Sequence, residues 1–221
     1  MAVRHGYGKI VTDGLEFIVD AADTNSYPGS GTTWTDLSGN GNNATLINGP
    51  TFNSGNGGSI VFDGANDYVA TNVSRNDSTN ENYTITLWFK ITSFTSSDMR
   101  LGGATSGDLD QFAFGFTGTQ LRLWLGSSWN NTSINFSTNT IYNIQIAHSG
   151  TDTLTYVDGT LYKTITSKSS YFNNFGLGNS FMLTYGSHFG GSMYIASIYN
   201  RALTASEVRI NYRHYKNRFN I

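Results

Sequence analysis

Residues 83–91 alternate without a break: Ile85, Leu87, Phe89 and Ile91 fall on one side, and Thr84, Thr86, Trp88 and Lys90 on the other. Only an extended chain puts residues i and i+2 on one face, so this run reads as a half-buried strand. Phe112, Phe114 and Phe116 repeat the period, and Leu121, Leu123 and Leu125 repeat it with Arg122 and Trp124 opposite. Gly118 lies between these two runs, in a connection short enough for a hairpin. Residues 141–148 alternate again, and 154–166 contain Val157-Asp158-Gly159-Thr160, where Asp-Gly between β-rich runs signals a second hairpin. Shorter β-rich runs occupy 15–20, 59–62 and 68–70, and residues 63–67 between the last two suit a tight hairpin loop. Residues 193–199 carry apolar side chains of both parities, which calls for burial on both faces or a covering helix.

One helix stands out. Thr204-Ala205-Ser206-Glu207 is a capping box, in which hydroxyl and carboxylate satisfy each other's orphan amides, and it opens a helix over 204–217. Val208, Tyr212, Tyr215 and Phe219 share a stripe, while Arg209, Arg213, Lys216 and Arg218 lie largely off it. Those cations are either a solvated face near the favourable end of the helix dipole or a small basic patch for an acidic partner. The expected fold class is therefore all-β, an antiparallel jelly-roll β-sandwich with one C-terminal α-helix, spanning 14–221 after an N-terminal arm over 1–13.

Composition supports this and narrows function. The 221 residues include 25 Gly and only 2 Pro, and 14% are aromatic, which supplies turns and core volume for one sandwich domain. Charged residues make up 13% and the net charge is -2, so no nucleic-acid partner is expected. Absent Cys removes disulfides and thiolate metal sites. The first eight residues lack an apolar stretch, and no later run reaches membrane-spanning length, so synthesis in the cytoplasm without membrane insertion is the expectation.

The loop from Trp34 to Leu46 combines an aromatic anchor with Asp, Ser, Gly and Asn. Asp36, Ser38, Asn40 and Gly41 match the first half of a D-x-[DN]-x-[DN]-G calcium loop, but Ile47 stands where the bidentate Glu belongs. Turn chemistry explains the same residues: Asp36 and Asn40 satisfy turn amides, and Trp34 and Leu37 fix the loop against the sandwich. No cofactor is expected. Calcium at Asp36 and Asn40 is a possible but not favoured occupant.

Three motifs give the chain a resemblance to a known family. They are Trp34-Thr35-Asp36-Leu37-Ser38-Gly39-Asn40-Gly41-Asn42, then Ile60-Val61-Phe62-Asp63-Gly64-Ala65-Asn66-Asp67-Tyr68-Val69, then Ile198-Tyr199-Asn200-Arg201-Ala202-Leu203-Thr204-Ala205-Ser206-Glu207-Val208. Together they resemble the concanavalin A-like lectin/glucanase superfamily, specifically its laminin-G-like jelly rolls. The stretch 26–34 and the basic terminal helix look like stand-alone versions among tailed-phage virion proteins. That resemblance implies a capsid decoration or a fibre or tail-associated subunit on the virion surface, made in the host cytoplasm and assembled with other virion proteins or as a homo-oligomer. Many laminin-G-like jelly rolls also carry an acidic pair before the Tyr-Asn-Arg-Ala-Leu motif that helps hold calcium, and here Ile195-Ala196-Ser197 has no carboxylate.

Glucanases of the superfamily use closely spaced carboxylates, because retaining hydrolysis needs acid and nucleophile about 5 Å apart. Here Glu16, Glu81 and Glu207 are far apart, and Asp108 with Asp110, the only i, i+2 acidic pair, reads as an exposed loop. His5, His148, His188 and His214 lack metal spacing, and His148 reads as a satisfied core or edge residue. No enzyme is expected. Ser127-Ser128-Trp129-Asn130-Asn131 places an aromatic in a polar loop, which suits a carbohydrate-binding surface that Trp124 can join. A partly buried aromatic or a subunit contact explains those residues too. Two functions follow: a non-enzymatic virion structural protein, or an adhesin that attaches a particle or cell to surface glycans.

Overall fold

The structure is a computed structural model and describes residues 9–75, 82–94, 98–105, 112–150, 152–166, 170–179 and 188–221. Its strands are β1 (Leu15–Asp20), β2 (Thr33–Trp34), β3 (Ala44–Ile47), β4 (Thr51–Asn53), β5 (Ser59–Asp63), β6 (Tyr68–Ala70), β7 (Tyr83–Ile91) and β8 (Asp98–Ala104). They continue with β9 (Ala113–Thr117), β10 (Gln120–Leu125), β11 (Ser128–Asn135), β12 (Ile141–Ser149), β13 (Asp152–Val157), β14 (Thr160–Ile165), β15 (Phe175–Leu177) and β16 (Gly190–Tyr199). Helix α1 (Ala205–Lys216) follows.

Two antiparallel sheets face each other. The first runs β14-β13-β12-β7-β16-β5-β4, with β1 also on β16, and the second runs β11-β10-β9-β8-β15-β6-β3-β2. Ile85, Leu87 and Phe89 of the first sheet and Phe114, Phe116, Leu121 and Leu123 of the second are fully buried between them. Phe89 and Phe116 meet across the interior at 6.2 Å between ring centroids. The all-β sandwich with one late helix is thus as the alternation requires.

Three local expectations change. Strand β7 is not half-buried: Thr84, Thr86 and Trp88 on its outer face are buried as well. The cause is α1, whose Tyr212 and Tyr215, with Phe219 just beyond, pack on Trp88 and Tyr194. Gln145 in turn donates to the Val208 carbonyl at 2.9 Å. The segment 63–67 is not a hairpin loop either, because β5 pairs with β16 and β4 while β6 pairs with β3 and β15. It is a corner that hands the chain from one sheet to the other. Asp63 Oδ1 caps it by accepting from the Ala65 and Asn66 amides at 2.8 and 3.3 Å. Thirdly, residues placed in the N-terminal arm are tied down where described. The Val11 amide donates to Asn211 at 2.9 Å, Tyr199 Oη donates to the Val11 carbonyl at 2.9 Å, and Asp13 pairs with Arg201 at 2.8 Å.

The two strongest local signals hold. Asp158 and Gly159 take φ of 50° and 74° between β13 and β14, the backbone of a type I′ hairpin. The Thr204 hydroxyl accepts from the Glu207 amide at 3.3 Å, while the Glu207 carboxylate accepts from the Thr204 amide at 2.9 Å.

Candidate functional site

The apolar parities of β9 and β10 point into the sandwich, so the other parities line the outer face of the second sheet. Strand register sorts that face into three rows. Asp98, Thr117, Gln120 and Asn135 form one; Arg100, Gly115, Arg122 and Asn131 form the next. Ala113, Trp124 and Trp129 form the third. Trp129 was expected in a polar loop with Asn130 and Asn131. All three instead belong to β11, because Gly126 and Ser127, with φ of 54° and 62°, complete the turn before them.

Trp124 and Trp129 meet edge to face at 5.3 Å. The Arg122 and Arg100 guanidinium carbons lie 4.0 and 4.4 Å from the Trp129 ring centroid. Both guanidiniums converge on Asp98: Arg100 forks across both its oxygens, one at 2.8 Å, and Arg122 shares Oδ1. Gly115 makes the convergence possible. A Cβ there would collide with the Met99 carbonyl where β8 bulges between Arg100 and Gly102.

Among the described residues of these rows one carboxylate serves two cations. Burial, then the neighbouring Arg122 charge, pushes Arg100 down to about 10, and burial also lowers Arg122. The Nε of each arginine is buried with no acceptor among the described residues. Trp124, Trp129 and Asn130 are half-buried and Asn131 is exposed, so the rows reach solvent. Trp124, Trp129 and Asn131 are therefore brought together on this face, while Asn130 takes the opposite parity beside Leu123 and its side chain donates to the Leu125 and Ser128 carbonyls at 3.3 and 2.9 Å. Arg100 and Asp98 were missed, although the alternation that put Arg122 beside Trp124 was the available signal.

The loop after Trp34 is filled by its own hydrogen bonds. Asp36 Oδ1 accepts from the Ile18 and Ser38 amides at 3.0 and 2.9 Å, and Oδ2 from the Asn42 amide and Ser38 hydroxyl at 3.0 and 2.7 Å. Asn40 does not satisfy turn amides as expected; its side-chain Nδ2 donates to the Leu15 and Glu16 carbonyls at 3.1 and 3.2 Å. Trp34 is fully buried, but Leu37 is 38% exposed, and its backbone amide donates to the Ile18 carbonyl. Among the described residues no group of three His, Cys, Asp or Glu side chains is placed to hold a metal.

The cations of α1 divide. Arg209 and Arg213 are exposed, and Lys216 Nζ lies 5.9 Å from the Tyr212 ring. Arg218 departs from the expected patch: it pairs with Asp20 at 2.6 Å and donates to the Asn56 and Gly58 carbonyls at 2.7 Å each. Its side chain is drawn inward because three acceptors converge beside Phe219. Glu16 pairs with Arg75, and Glu207 with Arg201. His148 is buried, with Nδ1 2.8 Å from the Thr153 hydroxyl and its ring stacked on Tyr83. Asp108, Asp110, Glu81 and His5 lie outside the described residues.

Comparison with solved structures returns this sandwich repeatedly. Domain 4 of AbnA, an extracellular arabinanase from Geobacillus stearothermophilus solved with arabinotriose, matches with a TM-score of 0.67 at 19% identity, covering 88% of this chain and 96% of that one. Trypanosoma rangeli sialidase in complex with sialic acid gives 0.70 at 16%, covering 93% of this chain and 33% of that one. The binding domain of botulinum neurotoxin serotype D gives 0.69 at 12%, covering 91% and 52%. The chain thus spans about a third of the sialidase and half of the toxin domain. No curated protein sequence matches significantly. The family model for the concanavalin A-like lectin/glucanases superfamily matches residues 63–209. With that match over the corner, both sheets and the start of α1, the chain belongs to the concanavalin A-like lectin/glucanase superfamily.

Proposed function

We propose that the chain is a non-catalytic recognition module whose outer face around Trp124 and Trp129 binds surface carbohydrate. The half-exposed tryptophan pair carries this reading. Indole rings stack on the C–H faces of sugar rings, and the neighbouring Arg122 and Asn131 supply donors and acceptors for hydroxyls. Helix α1 covers the outer face of the first sheet, so the second sheet is the side available for contact. Recognition roles in the arabinanase and neurotoxin domains are properties of those proteins; the likeness lends the fold, and these side chains supply the reading. The non-catalytic part is supported by Glu16 and Glu207, which are each held in internal ion pairs.

The test is a glycan array followed by calorimetric titration of the best ligand. Trp129→Ala and Trp124→Ala should each weaken binding about tenfold or more while circular dichroism stays unchanged. A blank array, or full affinity in both variants, overturns the reading.

A second reading concerns setting. We propose display on a tailed-phage particle as a decoration, fibre or tail-associated subunit, supported by the resemblance of residues 26–34 and the terminal helix and by the exposed Arg209 and Arg213, which suit an acidic neighbouring surface. Proteomics of purified virions with immunogold labelling tests it, and absence of the chain from virions removes it.

A further inference from the structure

We infer that the ligand of the tryptophan face is an acidic polysaccharide, whose carboxylate or sulfate groups are received at the half-buried Arg122, with the buried Arg100 adding its charge from behind. The inference rests on the carbohydrate reading and names the ligand's chemistry.

Charge is the first reason. Arg100 and Arg122 both point their charge at Asp98, and the other register positions in the three rows are neutral: Thr117, Gln120, Asn135, Gly115, Asn131, Ala113 and the tryptophans. Among the described residues of those rows, two positive charges thus face one negative charge. Chemistry is the second. Arg122 is half-buried and carries only donors, and an anion offers only oxygen acceptors where a sugar hydroxyl brings a donor as well. Geometry is the third. Trp129 lies over both guanidiniums and Asp98 grips their far edges, so the planar forks are already ordered and lose little freedom on binding. Guanidinium forks match carboxylate and sulfate oxygens two at a time.

A structural role for the trio explains less. A buried and a half-buried cation around one carboxylate cost more in desolvation than a neutral packing of equal volume. A nucleic-acid backbone fits less well too, since the whole chain carries a net charge of -2 and no extended basic track is present in these rows.

The full chain is titrated calorimetrically with polygalacturonate, a sulfated galactan, a neutral galactan and single-stranded DNA, at low and high salt. An acidic polymer should bind at least about tenfold more tightly than the neutral galactan, with affinity falling as salt rises. The carboxylated and sulfated arms show which anion is taken. Arg122→Gln should abolish the preference for the acidic polymer. Asp98→Asn should raise affinity several-fold, because the resident competitor loses its charge; a merely structural trio predicts no gain. Salt-insensitive binding of the neutral galactan, still lost in Trp129→Ala, overturns the acidic ligand and leaves the carbohydrate reading standing. Binding of none of the polysaccharides overturns both. DNA binding equal to that of the acidic polymer, or weaker binding by folded Asp98→Asn, overturns the acidic-polysaccharide assignment. If the variants fail to fold, the polymer and salt comparison on the unaltered chain decides.

Discussion

The indole of Trp88 and the ring of Tyr212 lie parallel, with 3° between their planes and 5.6 Å between centroids. Phe219 stacks on the same indole at 4.7 Å and on Tyr194 edge to face at 5.0 Å. The terminal helix is therefore part of the core that closes the first sheet. Phe219→Ala should cost about 3–5 kcal/mol, the range for deleting a buried aromatic ring. Urea denaturation measures it, and a change below about 1 kcal/mol would show that the helix is only loosely applied.

Acid should unfold the protein in two stages. Burial holds His148 neutral, with its pKa lowered from 6.5 to about 4, so its contribution is complete above pH 6.5 and is lost as pH falls through 4. The Arg201 hydrogen bonds hold Glu207 at about 2 instead of 4.5, so its contribution is complete above pH 4.5 and is lost as pH falls through 2. Thermal melts from pH 7 to pH 2 should show the gap between the unaltered chain and Glu207→Gln closing only in the lower window. A gap that is constant with pH contradicts the ion pair.

Asp36 is the hub of the first loop, and Asp36→Ala strips acceptors from the Ile18, Ser38 and Asn42 amides together. A loss of about 2–4 kcal/mol is expected for three stranded donors. Because both carboxylate oxygens already accept two hydrogen bonds each, the melting temperature should be the same in excess calcium and in EDTA. A calcium-dependent rise would place an ion among these oxygens.

Gly159 has φ of 74°, and a Cβ there would sit 2.9 Å from the Tyr212 ring. Gly159→Ala should therefore destabilise by about 1–3 kcal/mol through the turn and the helix contact together. Pairing it with Tyr212→Ala in a double-mutant cycle separates the two, and strict additivity would exclude the steric part.

Much of this fold is legible in the residues because alternation, Asp158-Gly159 and the Thr204 to Glu207 box are local signals that the finished fold does not override. What each strand pairs with is less so. Residues 63–67 have hairpin chemistry, yet the choice between hairpin and corner is made by β16 and β15, which come more than a hundred residues later. Trp129 was misplaced because β11 is polar apart from Trp129 and Ile134, so its strand character comes from pairing with β10. The arginine pair was only half legible. Arg122 shares a face with Trp124 by simple parity, but Arg100 joins them only through the pairing of β8 with β9, which sets Arg100 opposite Gly115.

Strand β16 pairs with β7 along one side and with β5 and β1 along the other. It is the last strand of the domain to be synthesised and lies at the middle of the first sheet. A nascent chain up to residue 189 therefore carries β1, the β4–β5 pair and the β7–β12 pair with nothing to join one to another. On the ribosome the domain cannot close in stages from its N-terminal end; it must keep long apolar strands exposed until residues 190–199 emerge. Chaperone demand during synthesis, and aggregation of any product truncated before β16, follow from where this one strand falls in the chain.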